Sequence, residues 1–134
     1  TKQELIDALY VWVKGDLAAA IGEIDERLSI REQMQIVWDR WLGWAFCRRD
    51  AHAVMNLLHQ SGLASESARA EGRDLIGAPM QVFGAAYSAG VFVDLPLNYL
   101  ISLIEHHFDQ AVASDLNRRE RDVAFQVLWN GITH

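Results

Sequence analysis

Apolar residues recur every three or four positions through most of the chain, and the alternation of apolar and polar residues that marks a strand is nearly absent. Only two prolines interrupt this pattern, and proline is the residue that a helix interior tolerates least. With 134 residues, the chain is long enough to enclose one sizeable core. The sequence therefore predicts a single all-α domain over residues 1–134.

Helix caps divide the chain into six predicted helices. Thr1 and Ser29 are each followed three residues later by a glutamate, and Asn117 is followed by Glu120 in the same way. In such a capping box, each side chain satisfies a backbone N–H of the first turn. The fourth helix contains Pro79, which is expected to kink it. The predicted helices cover about residues 2–24, 29–49, 51–60, 65–90, 96–114 and 117–131.

Charge and cysteine content limit the partners and the compartment. The formal net charge of −6 makes this chain by itself a poor binder of nucleic acid, whose phosphates are negative. The lone Cys47 excludes an internal disulfide and fits a reducing compartment. There is no basic and then apolar leader of the secretory kind. We therefore expect a cytoplasmic protein.

One segment, residues 75–93, has no charged side chain and is long enough to cross a bilayer. It also contains three glycines, a proline, a glutamine and a serine, and it is flanked by Asp74 and Asp94. No basic excess marks a cytoplasmic side. We predict a buried core helix here and no contact with a membrane.

The histidines and the cysteine do not form a recognisable metal or catalytic motif. His52 and His59 are two helical turns apart, too far to chelate one zinc ion, and the adjacent His106 and His107 point in different directions. No CxxC, HExxH or calcium-loop pattern occurs, and no nucleophile motif surrounds Cys47. We predict no metal, no cofactor and no enzymatic activity.

Aromatic residues are concentrated in the second predicted helix, in the segment VWDRWLGWAFC at residues 37–47. A helix that is apolar on most sides must be enclosed by others. In the fourth helix, large side chains alternate with glycine and alanine. Such a pattern fits an ordinary packed core, but it also fits a hollow between helices that takes a ligand. The residues predicted to line this hollow are Met34, Trp38, Trp41, Met55, Phe83 and Tyr87.

The last two predicted helices each carry two apolar faces. A peripheral helix needs only one such face for the core, so the second indicates a partner. We predict a symmetric homodimer in which these two helices and their copies form a four-helix bundle. The residues predicted at this interface are Leu100, Leu103, His107, Phe125, Leu128, Trp129 and Ile132.

Four segments follow one another in a recognisable order: TKQEL at the start, the aromatic helix, RRDAHAVMNLL at the third helix and FQVLWNGI near the end. In this order they resemble the regulatory part of the TetR (tetracycline-repressor-like) family of transcription factors. In that family, a linking helix that often begins Thr/Ser-Lys-x-x-Leu follows a helix-turn-helix domain. A chain that starts on a helix cap fits this arrangement, so we expect a DNA-reading domain to precede Thr1.

The resemblance implies a function and a mechanism. A small apolar or amphipathic effector between the helices would shift the linking helix and change the spacing of two DNA readers in a homodimer. Operator DNA would be read only by the missing domain. Lys2 matches a lysine of the linking helix that often touches operator phosphate in the family.

Two other functions remain open from the residues alone. One is a helical protein-interaction module without a ligand, which would have a filled core and an exposed groove. The other is a small helical enzyme, which would need convergent polar groups in its pocket. The only candidates for such groups are Tyr87, Asp39 and His59.

Overall fold

Seven α-helices make up the protein. The computed structural model describes all residues, 1–134. It contains no strand, only an isolated antiparallel bridge between Phe92 and Thr133, so the all-α prediction is confirmed. The helices are α1 (Lys2–Ile21), α2 (Ile30–Cys47), α3 (Arg49–Ser61), α4 (Glu66–Leu75), α5 (Gly77–Ser88), α6 (Leu97–Ala113) and α7 (Arg118–Ile132).

The helix starts follow the caps in the sequence. Thr1, Ser29 and Asn117 each accept a hydrogen bond from the backbone N–H three residues later, and the glutamate at that position accepts one in return. The end of α1 comes earlier than expected, at Ile21, because Gly22 adopts a left-handed φ of 63°. Local hydrogen bonds therefore set the starts of three helices, as capping chemistry requires.

The fourth predicted helix is in fact two helices, which corrects the count from six to seven. The break lies at Ile76, between α4 and α5, and not at Pro79. Pro79 is the third residue of α5, within the first turn, where a backbone N–H has no partner inside the helix. A missing N–H is tolerated there, so the proline begins a new helix where a kink was expected.

The aromatic helix α2 is enclosed by α1, α3, α5, α6 and α7. Trp38 is completely buried, and its indole N–H donates to the carbonyl of Arg121 on α7 at 3.0 Å. Trp44 donates to the Asp16 carboxylate on α1 at 2.9 Å. The buried tryptophans of α2 thus fix two neighbouring helices by hydrogen bonds as well as by packing.

The C-terminal end of α1 is held by a side chain of α2. The guanidinium of Arg40 donates to the carbonyls of Ile21 and Glu23, at 2.7 Å and 2.8 Å. These are carbonyls at and just beyond the last turn of α1, a place where helix carbonyls lack intrahelical partners. The end of α1 is therefore fixed relative to α2.

Helices α1 and α4 pack tightly against each other at Gly72. A Cβ atom at this position would lie 2.7 Å from Cε1 of Tyr10 and 3.1 Å from Cγ of Lys14. The Tyr10 ring cannot easily move, because it is buried in a small cluster with Leu58 and Ala68. Gly72 is therefore required for α4 to pack on this part of α1.

Gly72→Ala is expected to reduce the free energy of unfolding by about 1–3 kcal/mol, because the added methyl group overlaps the Tyr10 ring. Gly84→Ala, in the interior of α5, is the matched control. Nothing lies within 4 Å of the added methyl group there, so alanine should stabilise the helix by about 0.5–1 kcal/mol. Urea denaturation of the two variants is the measurement. Equal effects of the two substitutions would contradict this account of the α1–α4 contact.

Candidate ligand-binding site

A cavity of about 60 Å³ lies among α1, α2, α3, α5 and α6. Most of its wall is apolar and comes from all five helices. Since one water needs about 10–15 Å³ of such space, the cavity has room for only a few waters. A ligand of more than a few atoms would require side chains to move. Its apolar wall includes Leu17, Val37, Trp41, Met80, Phe83 and Phe108.

Polar residues are grouped on one part of the wall, called here the polar end. It consists of Lys14, Asn56, His59, Glu105 and Asp109. Lys14 belongs to α1, Asn56 and His59 to α3, and the two acids to α6. A mostly apolar cavity with a few converging polar groups is the usual form of a small-molecule site.

Lys14 is the unusual member of the polar end. Its side chain is only 6% exposed, yet it forms no ion pair within 4.0 Å and no side-chain hydrogen bond. Every fully enclosed side-chain nitrogen or oxygen has a hydrogen-bond partner. Because the Lys14 ammonium has none, its nitrogen must border accessible space, and the cavity is the space that Lys14 lines.

Burial lowers the pKa of Lys14 to about 8, since the charged form loses its water. Glu105 and Asp109 oppose this shift through their negative charges, without coming within ion-pair distance. The ammonium also lies 5.6 Å from the centre of the Tyr10 ring. Lys14 is therefore a poorly compensated cation at neutral pH.

Glu105 and His59 lie where the polar end meets solvent, and both are exposed. Partial desolvation raises the pKa of Glu105, against the effect of Lys14. Desolvation, followed by the charge of Lys14, lowers the pKa of His59. His59 is therefore neutral at physiological pH, and Lys14 is the only cation among the polar-end residues.

Asp109 is held in place from α3. The ring nitrogen Nε2 of the buried His52 lies 3.1 Å from Asp109 Oδ1 and 3.3 Å from the Asn56 amide nitrogen. The Trp41 and Trp44 rings stand nearly perpendicular to the His52 ring, both at 85°. This packing fixes the imidazole, and the imidazole orients the carboxylate.

Three of the six residues predicted to line a ligand site do line this cavity: Trp41, Met55 and Phe83. Met34 and Trp38 are buried in the core but do not border the cavity, and Tyr87 is 42% exposed at the end of α5. The sequence reasoning missed Lys14. The available signal was a single charge on the buried stripe of α1, one turn after Tyr10 and one turn before Leu17.

The predicted dimer residues lie on two different sides of α6 and α7. Leu103 is 43% exposed, whereas His107 is half-buried and donates from Nε2 to the carbonyl of Ala124 at 2.9 Å. Trp129 is also half-buried and stacks on Phe125. Four residues require correction, because they are buried in the core of one chain and cannot form a surface: Leu100, Phe125, Leu128 and Ile132.

The residues that could support other functions do not meet. Of the enzyme candidates Tyr87, Asp39 and His59, only His59 lines the cavity. No three His, Cys, Asp or Glu side chains are arranged to hold a metal ion.

Lys2 is exposed in the first turn of α1. None of the seven helices has the length and hydropathy needed to cross a membrane, and the uncharged segment at residues 75–93 contains α5.

Comparison with solved structures gives close matches over the whole chain. A protein from Shewanella sp. PV-4 assigned to the TetR family of transcription regulators superimposes with a TM-score of 0.83 and 19% identity, covering 100% of this chain and 76% of that one. The fold is that of TetR-family regulators. A TetR-family regulator from Marinobacter aquaeolei VT8 matches with a TM-score of 0.80 and 14% identity, covering 98% of this chain and 72% of that one. A TetR-family protein from Vibrio parahaemolyticus matches with a TM-score of 0.78 and 18% identity, covering 100% of this chain and 76% of that one. No protein-family model and no curated protein matches the sequence.

Lys14→Met is expected to stabilise the protein at pH 7 by roughly 2–3 kcal/mol, because a cation is no longer buried. The pKa of Lys14 is lowered from 10.5 to about 8 in the folded state, so the unfolded chain holds more protons between these values. The loss of stability caused by the buried Lys14 charge is therefore at its full value below about pH 8 and disappears as the pH rises to about 10.5. The advantage of the variant should shrink over the same interval.

Denaturation at pH 7, 8, 9 and 10 measures this effect. The control is Lys2→Met, since Lys2 is the only other lysine and is exposed. It should leave the free energy of unfolding within about 0.5 kcal/mol of wild type. If the free energies of unfolding of Lys14→Met and wild type differed by the same amount at every pH, Lys14 would not be a buried cation.

Proposed function

We propose that this chain is the effector-binding and dimerisation region of a TetR-like transcription regulator. Its fold supports this proposal, as does the order of the sequence segments described above. The observation that supports this proposal best is the cavity, because α1 contributes Lys14, Leu17 and Ile21 to its wall. In the proposed assignment α1 is the linking helix, so a molecule in the cavity touches the element that would lead to a DNA-reading domain.

Effector binding is proposed to act by enlarging the cavity. At about 60 Å³ it is smaller than the roughly 300–1,000 Å³ of a typical small-molecule site. A ligand of that class must therefore displace Met55 and Met80 or separate α1 from α5. Because the ligand favours only the arrangement that accommodates it, its binding energy shifts the population of helix positions.

The corresponding test measures binding and the response of α1 together. Cyclohexanol, cyclohexane and 1-hexanol are titrated into the protein, and binding is followed by tryptophan fluorescence and by backbone amide exchange. We expect a change in fluorescence that Trp41→Phe reduces, and a change in exchange in the peptides that cover α1. The matched control is Trp12→Phe, because Trp12 is 54% exposed and lies outside the cavity. The absence of binding by all three probes would contradict an effector site, and binding without any response in α1 would contradict a regulatory one.

The proposed regulator is a homodimer that pairs through α6 and α7. His107 of α6 contacts the backbone of α7 at Ala124. One turn from His107 on α6 lies the exposed Leu103, and next to Ala124 on α7 lie Val123 and Val127, which are 51% and 61% exposed. These three residues therefore add exposed apolar surface to the pair formed by α6 and α7. A second copy that covers them would remove apolar surface from water.

Val123→Glu/Val127→Glu is expected to convert this dimer into a monomer, because carboxylates would be buried without partners across the symmetry axis. The fold should persist, since both side chains are exposed in the single chain. Leu57→Glu on α3, at a site 63% exposed, should leave the dimer intact. Sedimentation at micromolar concentration is the measurement. A wild-type species of 15.1 kDa would rule out the dimer.

A further inference from the structure

The polar end of the cavity contains a cation without a partner. Lys14 is more than nine-tenths buried, lines the cavity and forms neither an ion pair nor a side-chain hydrogen bond. A buried polar group normally has a partner, and a buried charge is costly without one. The position of this ammonium therefore calls for a hydrogen-bond acceptor inside the cavity.

Acceptors and donors at the polar end limit what that partner can be. Glu105 and Asp109 face the cavity from α6 and are acceptors when ionised. His59 faces it from α3 and is neutral, and Asn56 offers an amide from the same helix. Counted with formal charges, +1 for Lys14 and −1 for each acid, the polar end has a net charge of −1.

Ligands with a charged end fit this arrangement poorly. A carboxylate would satisfy Lys14, but it would also be placed beside Glu105 and Asp109 and would add negative charge to a site that is already negative. An ammonium would pair with the acids and be repelled by Lys14. In both cases the attractive interaction is offset by a like charge within the same small cavity.

An ether or ketone oxygen satisfies only half of the site. Such an oxygen accepts from Lys14 but has no proton for the carboxylates. A hydroxyl group both accepts and donates, so it can join the two sides of the polar end. The remainder of the wall, including Trp41, Met80 and Phe83, suits an apolar body.

We propose that the cavity binds an uncharged amphipathic molecule that ends in a hydroxyl group, whose oxygen accepts from Lys14 and whose proton is donated to Glu105. This inference rests on the proposed effector function and specifies its ligand class. The same contact gives Lys14 the acceptor that the unliganded protein lacks. It also joins α1 to α6 through the ligand.

Four small probes of similar size separate the head groups. 1-Hexanol and methyl pentyl ether are isomers, and only the alcohol can donate a hydrogen bond. Hexanoate and hexylammonium present the negative and positive alternatives. Dissociation constants are measured by tryptophan fluorescence at pH 7. We expect 1-hexanol to bind about tenfold more tightly than the ether, as the loss of one hydrogen bond to a charged group implies, and more tightly than either ion.

Variants assign this preference to the polar end. Lys14→Met should weaken the binding of 1-hexanol and of the ether about tenfold each, because both oxygens accept from Lys14, and it should leave the preference for the alcohol in place. Glu105→Leu should remove that preference, whereas Glu105→Gln should retain it, because the amide oxygen still accepts. Lys2→Met is the control and should bind all four probes as wild type does.

A direct readout uses the fact that the chain has two lysines, Lys2 and Lys14. In protein labelled with ¹³C at the lysine Cε, 1-hexanol should shift the Lys14 signal and leave that of Lys2 unchanged. Equal binding of alcohol and ether by wild type, tighter binding of an ion, or an unchanged Lys14 signal on saturation would overturn the proposal while leaving the effector site standing. Failure of all four probes to bind would overturn both.

Discussion

The enclosure of α2 is the constraint on which the rest of this structure depends. Because α2 is surrounded by five helices, the indole N–H groups of Trp38 and Trp44 are largely removed from water and find acceptors within the protein. Trp38 finds one on α7 and Trp44 finds one on α1. Both bonds are directional, so they set the positions of these helices more narrowly than apolar contact alone. The cavity exists where the bulky side chains of α2 meet the outer helices without filling the space between them.

Lys14 lowers the stability of the folded protein, and in the proposed site it is the group that a ligand would satisfy. A methionine at the same position would fill a similar volume without the cost of burying a charge. The lysine is instead kept beside Gly72, whose missing side chain lets α4 pack against the Lys14 methylenes and the Tyr10 ring. The local structure thus holds in place a group that weakens the folded state. Such an arrangement is typical of a binding site, where polar groups are satisfied only when the ligand is present.

The features predicted correctly from the sequence are those that depend on neighbouring residues in the chain. Helix periodicity and the three capping boxes are local, so the all-α fold and the starts of α1, α2 and α7 could be read directly. The break at Ile76 could not, because the sequence does not reveal whether Pro79 lies inside a helix or in its first turn. Likewise, two apolar stripes on α7 do not show which one faces the core, so the sequence pattern does not reveal that Phe125 faces inward. Both Trp38 and Trp41 are buried, and only the three-dimensional packing of the helices shows that Trp41 borders the cavity while Trp38 does not.

The bonds from Arg40 to the carbonyls at the end of α1 have a mechanical consequence. They make the C-terminal end of α1 a fulcrum, and the cavity wall at Lys14, Leu17 and Ile21 lies on the half of the helix nearest to it. At 1.5 Å per residue, the twenty residues of α1 span about 30 Å. A rotation of about 5° about the fulcrum would then move the far end, at Lys2, by about 2.6 Å, as the geometry of a rod of this length requires. A displacement of about 0.5 Å at Leu17, four residues from this fulcrum, would thus become a movement of about 2.6 Å at the opposite end of the helix.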